Sequence, residues 1–366
     1  MNFTFLCNTP PAKNNRKVAV IGAGPSGLAA TGYLACMGYQ VEVYDKLPRA
    51  GGLMVFGIPA HRISREKIEQ AVDDLKKRSK VKFHLRTKIC GSEPMHNEAG
   101  DDFVLNYKSL GGRMEDNDAV LICTGTWKSR RLNIPGSNLQ GVYSGLEFLF
   151  PVRAARYDMA RMKVPTIKGR KVAVIGAGFT AVDVVHAALA EGADEVSLIY
   201  RRTRNEAPCG LHEMNILEKT GARCLELVSP LRILGKDRVE EIQLARCRLA
   251  EPDESGRCRS LVCDGETLKL KVDLVVAAIG ETAMPPFAHD LGLENVRKGQ
   301  VRWLQMTAME SVFVAGDVLT GPSRIGSAVY SGLKAAKSLD QWISLKEQGR
   351  LQEYREEFIR QEDLRL

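Results

Sequence analysis

The sequence predicts an α/β chain made of two doubly wound, parallel-sheet nucleotide-binding domains, and three observations carry that prediction. First, the segment Arg16-Lys-Val-Ala-Val-Ile-Gly-Ala-Gly-Pro-Ser-Gly27 is nearly repeated as Gly169-Arg-Lys-Val-Ala-Val-Ile-Gly-Ala-Gly-Phe-Thr-Ala181. Each copy reads as a β-branched apolar run, a glycine turn and a helical pattern, the opening of a βαβ unit. Second, each copy is followed by a strand of the buried type, Ala119 to Thr124 in one case and Asp273 to Gly280 in the other. Third, 366 residues are more than one ordinary core holds and suit two domains.

The composition, 44% apolar and 26% charged, is that of a folded globular protein. No apolar run approaches the roughly 20 residues that cross a bilayer. The stretch from Met1 to Lys17 lacks the apolar centre of a secretory signal. These features predict a cytoplasmic protein whose nine cysteines are reduced, without structural disulfides. The net charge of +8 comes from Lys and Arg spread along the chain and nearly matched by acids. With no basic stripe interleaved with aromatics, nucleic acid is not an expected partner. The charge suits docking to an acidic protein equally well.

In chain order, Leu28 to Met37 predicts a helix ending at Gly38, and Val41 to Asp45 the next strand. Ser64 caps a helix whose apolar Ile68, Val72 and Leu75 recur at helical spacing. Strands are expected at Val81 to Leu85 and Phe103 to Tyr107, and a linker at Trp127 to Gly141. Val312 to Asp317 reads as a strand with a glycine turn, followed by a helix from Ile325 to about Ser344. Gln348 to Leu366 is a polar tail of helical pattern, either solvated or packed on a partner.

In Gly22-Ala-Gly24-Pro25-Ser26-Gly27 the first glycine permits the tight turn. The second admits a pyrophosphate to the backbone, and the third lets helix pack on strand. Asp45, at the end of the next strand, is placed to accept hydrogen bonds from a ribose diol. The second motif, Gly176-Ala-Gly178-Phe179-Thr180-Ala181, is followed by Tyr200-Arg201-Arg202, with Arg204 close behind. Arginine there suits a 2′-phosphate, hence NADP rather than NAD. Phe179 is bulkier than the small or polar residue expected beside a pyrophosphate, so a vestigial second site stands as the alternative.

Over nearly its whole length the chain resembles flavoproteins related to the small subunit of glutamate synthase. The matching landmarks are Gly51-Gly-Leu53, Gly57-Ile-Pro59 with Arg62, Cys123-Thr-Gly-Thr-Trp127, Leu132-Asn-Ile-Pro-Gly136, Tyr200-Arg-Arg202, Ala278-Ile-Gly280 and Ala315-Gly-Asp317. The resemblance implies a thioredoxin-reductase-type arrangement of two Rossmann-like domains. An FAD domain would be made from residues 1–140 and 281–366, with a pyridine-nucleotide-type domain, 141–280, inserted into it. Within the group the chain is most similar to the stand-alone A-type subunit of bacterial heterodisulfide-reductase-like complexes of sulfur oxidation. Its length, the lack of an N-terminal iron–sulfur domain and the stretch Gly321 to Gly332 carry that finer likeness.

By the same resemblance Gly51, Gly52 and Leu53 would lie along the ribityl and flavin, and Gly57, Ile58 and Arg62 would border the isoalloxazine. Gly316 and Asp317 would hold the ribityl chain or phosphate. The helix opening at Ile325, Gly326 and Ala328 would aim its positive end at the flavin O2 side, favouring the reduced anionic flavin. The implied FAD set also takes in Lys46, Ile89, Thr124, Gly125 and Thr126. The second site, where occupied by NADP(H), would use Gly176, Gly178, Phe179, Thr180, Arg201, Arg202 and Gly280. A homodimer is a further implication.

The one close cysteine pair, Cys258 and Cys263, follows a turn and reads as part of an exposed hairpin, unsuited to dithiol exchange beside a flavin. Five cysteines, Cys209, Cys224, Cys247, Cys258 and Cys263, crowd one stretch of the second domain. On neighbouring strands about 5 Å apart several could converge, and four thiolates would ligate a [4Fe–4S] cluster. Buried cysteines acting as small apolar residues are the alternative. Cys36, Cys90 and Cys123 read as packing. No histidine spacing, serine elbow or acid–base pair marks a further catalytic residue.

Three functions stay open at this stage. The first is an FAD-containing electron-transfer subunit of a heterodisulfide-reductase-like complex, relaying electrons to an iron–sulfur cluster or partner subunit. The second is an NAD(P)H-dependent flavin oxidoreductase of the glutamate synthase small-subunit type. The third is a flavin-holding interaction subunit without turnover of its own.

Overall fold

A computed structural model of the chain describes residues 4–9, 11–59, 62–91, 93–95, 98–156, 163–252, 257–282, 290–301 and 303–352. From the N-terminus it runs β1 (Lys17–Ile21), α1 (Pro25–Cys36), β2 (Gln40–Tyr44), α2 (Leu53–Phe56), α3 (Arg65–Ser79), β3 (Lys82–His84) and β4 (Thr87–Cys90). Then come β5 (Asn106–Ser109), α4 (Leu110–Asp116), β6 (Ala119–Ile122), β7 (Lys128–Ser129), β8 (Val142–Ser144), α5 (Gly145–Ala155), β9 (Lys171–Ile175) and α6 (Phe179–Ala190). Next are β10 (Glu195–Tyr200), α7 (Leu211–Lys219), β11 (Arg223–Glu226), β12 (Val228–Leu234), β13 (Glu241–Pro252), β14 (Cys258–Lys271) and β15 (Leu274–Ala277). The chain finishes with β16 (Glu281–Thr282), α8 (Leu293–Arg297), β17 (Val312–Val314), α9 (Asp317–Thr320) and α10 (Ile325–Glu347).

Contacts divide the chain into two units. One comprises Met1–Phe56, Ala60–Lys128 and Thr282–Leu366; the other comprises Gly57–Pro59 and Ser129–Glu281. The first holds a five-stranded sheet in the order β17-β6-β1-β2-β3, every pairing parallel. Its core gathers Ile21, Tyr44, Val120 and Ile122 with Leu291, Val312 and Val318, so both ends of the sequence build it. The second holds a parallel sheet, β11-β10-β9-β15-β8, and an antiparallel one, β12-β13-β14. Parallel strands are covered on both faces, which is why β1, β6, β9 and β15 read as unbroken apolar runs.

The repeat in the sequence is a repeat in geometry. Asp118 and Asp273 each sit just before a central strand and accept the backbone N–H that opens its neighbour, Lys17 at 2.7 Å and Lys171 at 2.8 Å. Gly22 N–H donates to Tyr44 O at 2.7 Å, and Gly176 N–H to Ile199 O at 2.9 Å. In each sheet the glycine turn stands at the carboxyl end of the strand from which neighbours were added in both directions, the place where open α/β sheets bind ligands.

Several expectations are corrected. The stretch expected as a linker, Trp127 to Gly141, passes from the first unit to the second at Lys128 and Ser129 but is not free chain: Leu132, Ile134 and Leu139, partly buried, pack on the core of the second unit. A Cβ on Gly136 would stand 2.1 Å from Ile233 O. Apolar residues at every few positions gave that stretch a surface to bury, which its Arg, Asn and Pro content masked. Asp101–Phe103 forms a 3₁₀ turn, and the strand expected from Phe103 starts only at Asn106. The structure also pairs Cys7 with Cys36 as a disulfide, Cα to Cα 5.8 Å, against the expectation of reduced cysteines throughout. The segment around Thr4 lies so close on α1 that a Cβ on Gly32 would meet Thr4 O at 1.6 Å, and this contact brings the two thiols together. Of the expected polar tail, residues 353–366 lie outside the described residues. The Ser64 cap of α3 forms as the sequence predicts, its oxygen accepting from Lys67 N–H. No helix among the described residues is long and apolar enough to cross a membrane.

At the edge of the first sheet, β2 and β3 are joined through Glu42. Its carboxylate accepts from the Tyr44 hydroxyl at 2.8 Å and from Lys82 at 3.0 Å, and lies 3.2 Å from His84. Burial pushes the carboxyl up, but the Tyr44 and Lys82 bonds and the nearby charges outweigh it and bring it from 4.5 down to about 2. A carboxyl depressed by folding contributes stability that is present above its unfolded value and is lost as pH falls toward its folded one. Glu42→Gln is therefore expected to lower the urea midpoint above about pH 5, with the gap to wild type closing as pH falls toward 2. A gap that stays constant over that range would contradict this assignment.

Candidate functional site

In the first unit, four separate stretches of backbone meet at the glycine turn. Gly22 has φ +108°, and a Cβ there would stand 2.3 Å from Cys123 O; only glycine allows the turn to lie on the strand-end carbonyl. A Cβ on Gly27 would be 1.9 Å from Gly22 O. Gly51 N–H donates to Ala23 O at 2.7 Å, and a Cβ on Gly52 would come within 3.0 Å of Gly24 Cα. From the far end of the sequence, a Cβ on Gly316 would meet Ser26 Cβ at 2.8 Å, and one on Gly332 would meet Ser26 O at 2.2 Å.

Gly24 is different. Its φ of −75° suits any residue, and a Cβ built on it meets nothing within 4 Å. It forms the N-cap of α1 without a side-chain capping bond. The first-turn amides of α1 therefore face open space beside the turn, an anion site by geometry and dipole together. In contrast, α3, α4 and α5 are capped by Ser64, Ser109 and Ser144. Beside the turn, Thr124 Oγ1 is buried without a hydrogen-bond partner among the described residues. A cradle that a Cβ would fill, uncapped amides and an orphaned hydroxyl fit a dinucleotide pyrophosphate.

The other expected FAD residues are placed as follows. Asp45 is nearly buried; its Oδ2 accepts from Ala23 N–H at 2.6 Å and its Oδ1 from Leu47 N–H at 2.8 Å. Burial raises its carboxyl, and the two backbone bonds oppose that rise. A carboxylate offers about four lone-pair sites, so each oxygen retains one for a diol. Lys46 is committed elsewhere. Buried with Lys88, it forms ion pairs with Glu98 at 2.9 Å and Asp101 at 3.3 Å, and its ammonium lies 4.3 Å from the centre of the Trp127 ring. Ile89 is a buried core residue of β4. Pro25 and Ser26 open α1, Leu53 opens α2, Gly125 turns at φ +72° and Thr126 is buried. Arg62 is exposed, and Gly57 and Ile58 group with the second unit. Asp317 accepts from the Ser323 hydroxyl at 2.6 Å, with burial raising its carboxyl. Ile325, Gly326 and Ala328 form the first turn of α10, whose N-cap Arg324 supplies no capping bond.

The second unit repeats the turn. Gly176 has φ +118°, and a Cβ there would stand 2.3 Å from Ala278 O. Gly178, at φ −85°, caps α6 without a side-chain bond, and its Cβ would meet nothing within 4 Å. Ala181 replaces the third glycine and is fully buried. Phe179, expected to crowd the turn, packs instead against the core of the unit. Thr180 donates to Glu281 at 3.2 Å, and Gly280 O accepts from Arg130 N–H at 2.9 Å.

The arginines have divided roles that the sequence did not separate. Arg202 is buried and its Nε donates to Cys258 O at 2.5 Å, pinning the β13–β14 hairpin to the loop after β10. Arg204 is held by Glu218 and Glu226. Arg201 is exposed and makes no ion pair or hydrogen bond among the described residues, so of the three it alone is left open to solvent.

The five cysteines do not converge. Cys209 is buried in the core of the unit, and Cys224 packs against the same core, where burial first and then the Glu218 charge push its thiol up to about 11. On the hairpin, Cys247 pairs with Val262 and Cys258 with Pro252, so none of its cysteines faces another in register. Register shifts within β13 and β14 set their side chains out of the alignment that spacing alone suggested. Among the described residues no group of three or more Cys, His, Asp or Glu is arranged to hold a metal ion, and a [4Fe–4S] cluster does not fit. The disulfide offers no substitute beside the turn: Cys36 ends α1, about 17 Å along the helix from Pro25.

Residues 16–332 match the family model described as pyridine nucleotide-disulphide oxidoreductase. The chain is 34% identical to the NADP(+)-dependent formate dehydrogenase subunit beta of Moorella thermoacetica, over 92% of this chain and 45% of that one. It is 31% identical to the glutamate synthase [NADPH] small chain of Halomonas elongata, over 90% of this chain and 69% of that one. It thus spans less than half of the first relative's length and about two thirds of the second's. In fold it is similar to FprA of Mycobacterium tuberculosis, solved in complex with NADPH, with TM-score 0.72 at 21% identity over 92% of this chain and 87% of that one. The chain belongs to the pyridine nucleotide-disulphide oxidoreductase family, as an FAD-dependent oxidoreductase of the glutamate synthase small-chain kind.

Proposed function

We propose that this chain is an NAD(P)H-dependent flavin oxidoreductase that works as one electron-transfer component of a larger redox assembly. FAD would lie on the first glycine turn and the pyridine nucleotide on the second. One observation carries the proposal: Gly24 and Gly178 adopt φ values any residue could adopt, and a Cβ on either meets no protein atom. The fold does not need glycine at these two positions. A ligand approaching the backbone does.

In the first unit the amides of α1 would hold the pyrophosphate, Asp45 the ribose diol through its remaining lone pairs, and Thr124 Oγ1 a further polar atom of the cofactor. Bound FAD supplies two-electron acceptance from a reduced nicotinamide and delivery of those electrons onward. In the second unit the amides of α6 would hold the nucleotide pyrophosphate and Arg201 its 2′-phosphate. The names of the relatives, a subunit beta and a small chain, support a partner that takes or supplies the electrons.

The dispersed cysteines take the iron–sulfur support from the heterodisulfide-reductase-like reading, which keeps only its likeness over Gly321 to Gly332, and homodimerisation has no residue-level support. If the cluster is absent, iron and acid-labile sulfide stay near zero per chain after anaerobic reconstitution. Four irons per chain would restore that reading. For the proposal itself, the yellow protein mixed anaerobically with NADPH should lose its visible flavin absorption. Gly178→Val should keep the flavin and lose the bleaching; Gly24→Val should fold but purify colourless. Arg201→Gln should cut the preference for NADPH over NADH roughly ten- to hundredfold, the worth of one charge-assisted bond. Wild-type protein that NADPH leaves yellow, or a Gly24→Val protein that stays yellow, would refute the assignment.

A further inference from the structure

A buried polar network joins the chain's C-terminal segments to the first glycine turn through a residue held in a costly conformation. Gln305 is 6% exposed and has φ +58°, the left-handed region that a glutamine rarely adopts. Such a residue persists only where its surroundings over-determine it. Its side-chain Nε2 donates to Ser331 Oγ at 3.1 Å and to Ser331 O at 3.3 Å, while its backbone carbonyl accepts Val314 N–H at 2.8 Å. Ser331 Oγ also accepts Gly316 N–H at 2.9 Å. The preceding carbonyl, Leu304 O, accepts the Ser338 hydroxyl of α10 at 2.7 Å. One short loop thus fixes α10 at two points and ties it to the Ala315-Gly316-Asp317 turn.

Those fixed points adjoin the candidate site. Gly316 and Gly332 are the two residues whose Cβ atoms would strike Ser26 in the first turn of α1. The uncapped first turn of α10 begins at Ile325, about 9 Å along the helix before Ser331. A helix end acts on charge only over its first turn, so its effect depends on where that turn is held.

We propose that Gln305 is a positioning residue for the flavin site: through Ser331 it holds the amino end of α10 and the Gly316 turn in place, and so sets the flavin reduction potential. This rests on the assignment of FAD to the first turn. Losing the network lets the positive end of α10 move away from the site, weakening binding of the more negative, reduced flavin relative to the oxidised form.

The test is the midpoint potential of FAD-loaded wild type, Gln305→Leu, Gln305→Asn and Ser331→Ala, measured by anaerobic dye equilibration. Asparagine accepts the left-handed conformation but is too short to keep both bonds, so it separates the network from backbone strain. Each variant should shift to a lower potential by about tenfold in the ratio of affinities for reduced and oxidised flavin, 29.6 mV for a two-electron couple. Leu75→Ala, which opens the core under α3, should lower stability and leave the potential unchanged. Flavin retained at the wild-type potential in Gln305→Asn and Ser331→Ala would overturn the proposal while leaving the FAD assignment standing. Wild-type protein that takes up no flavin would remove both.

Discussion

The architecture depends on one constraint, the approach of a glycine turn to the carboxyl end of the neighbouring strand in its sheet. At Gly22 the space a Cβ would need is already taken by Cys123 O, and at Gly176 by Ala278 O, each at 2.3 Å. Any side chain there would push the turn off the sheet. The helix that follows would tilt with it, and its amides would no longer stand over the strand ends. Every other feature of the site builds on that contact: the register of β1 with β6, the crossing of α10 on Ser26, and the free amides at Gly24.

The two copies share this constraint and diverge around it. In the first, the third glycine is also compulsory, because a Cβ on Gly27 would stand 1.9 Å from Gly22 O. In the second, Ala181 fills that place and stays fully buried, so α6 sits with room for a methyl group. The first turn is crowded by Gly51, Gly52, Gly316 and Gly332 from distant parts of the sequence. The second is flanked instead by Thr180, Glu281 and the arginine loop.

What the sequence made legible follows the range of the interactions. Local devices could be read directly: the glycine turns, the Ser64 cap, and the apolar runs of strands buried on both faces. Residues whose roles depend on distant partners could not. Arg201 and Arg202 look equivalent in a motif, yet one is exposed and the other is spent on Cys258 O. Lys46 looks like a ligand of an anionic cofactor until Glu98 and Asp101 fold over it. The cysteines looked poised to converge because strand spacing suggests neighbours, while the register shifts of the hairpin decide which side chains meet. Gln305 gave no signal, since nothing in a sequence announces a positive φ at glutamine. Gly332 did carry one: a glycine within a long helical pattern marks a close crossing, here with α1.

The central claim is that one turn was used twice for two different dinucleotides. Native mass spectrometry of the intact chain, purified and then exposed to NADP+, tests it most directly. The account predicts one FAD per chain before exposure and one added NADP+ afterward, with Gly178→Val losing only the second. A chain carrying no FAD, or an NADP+ adduct that survives Gly178→Val unchanged, would contradict it.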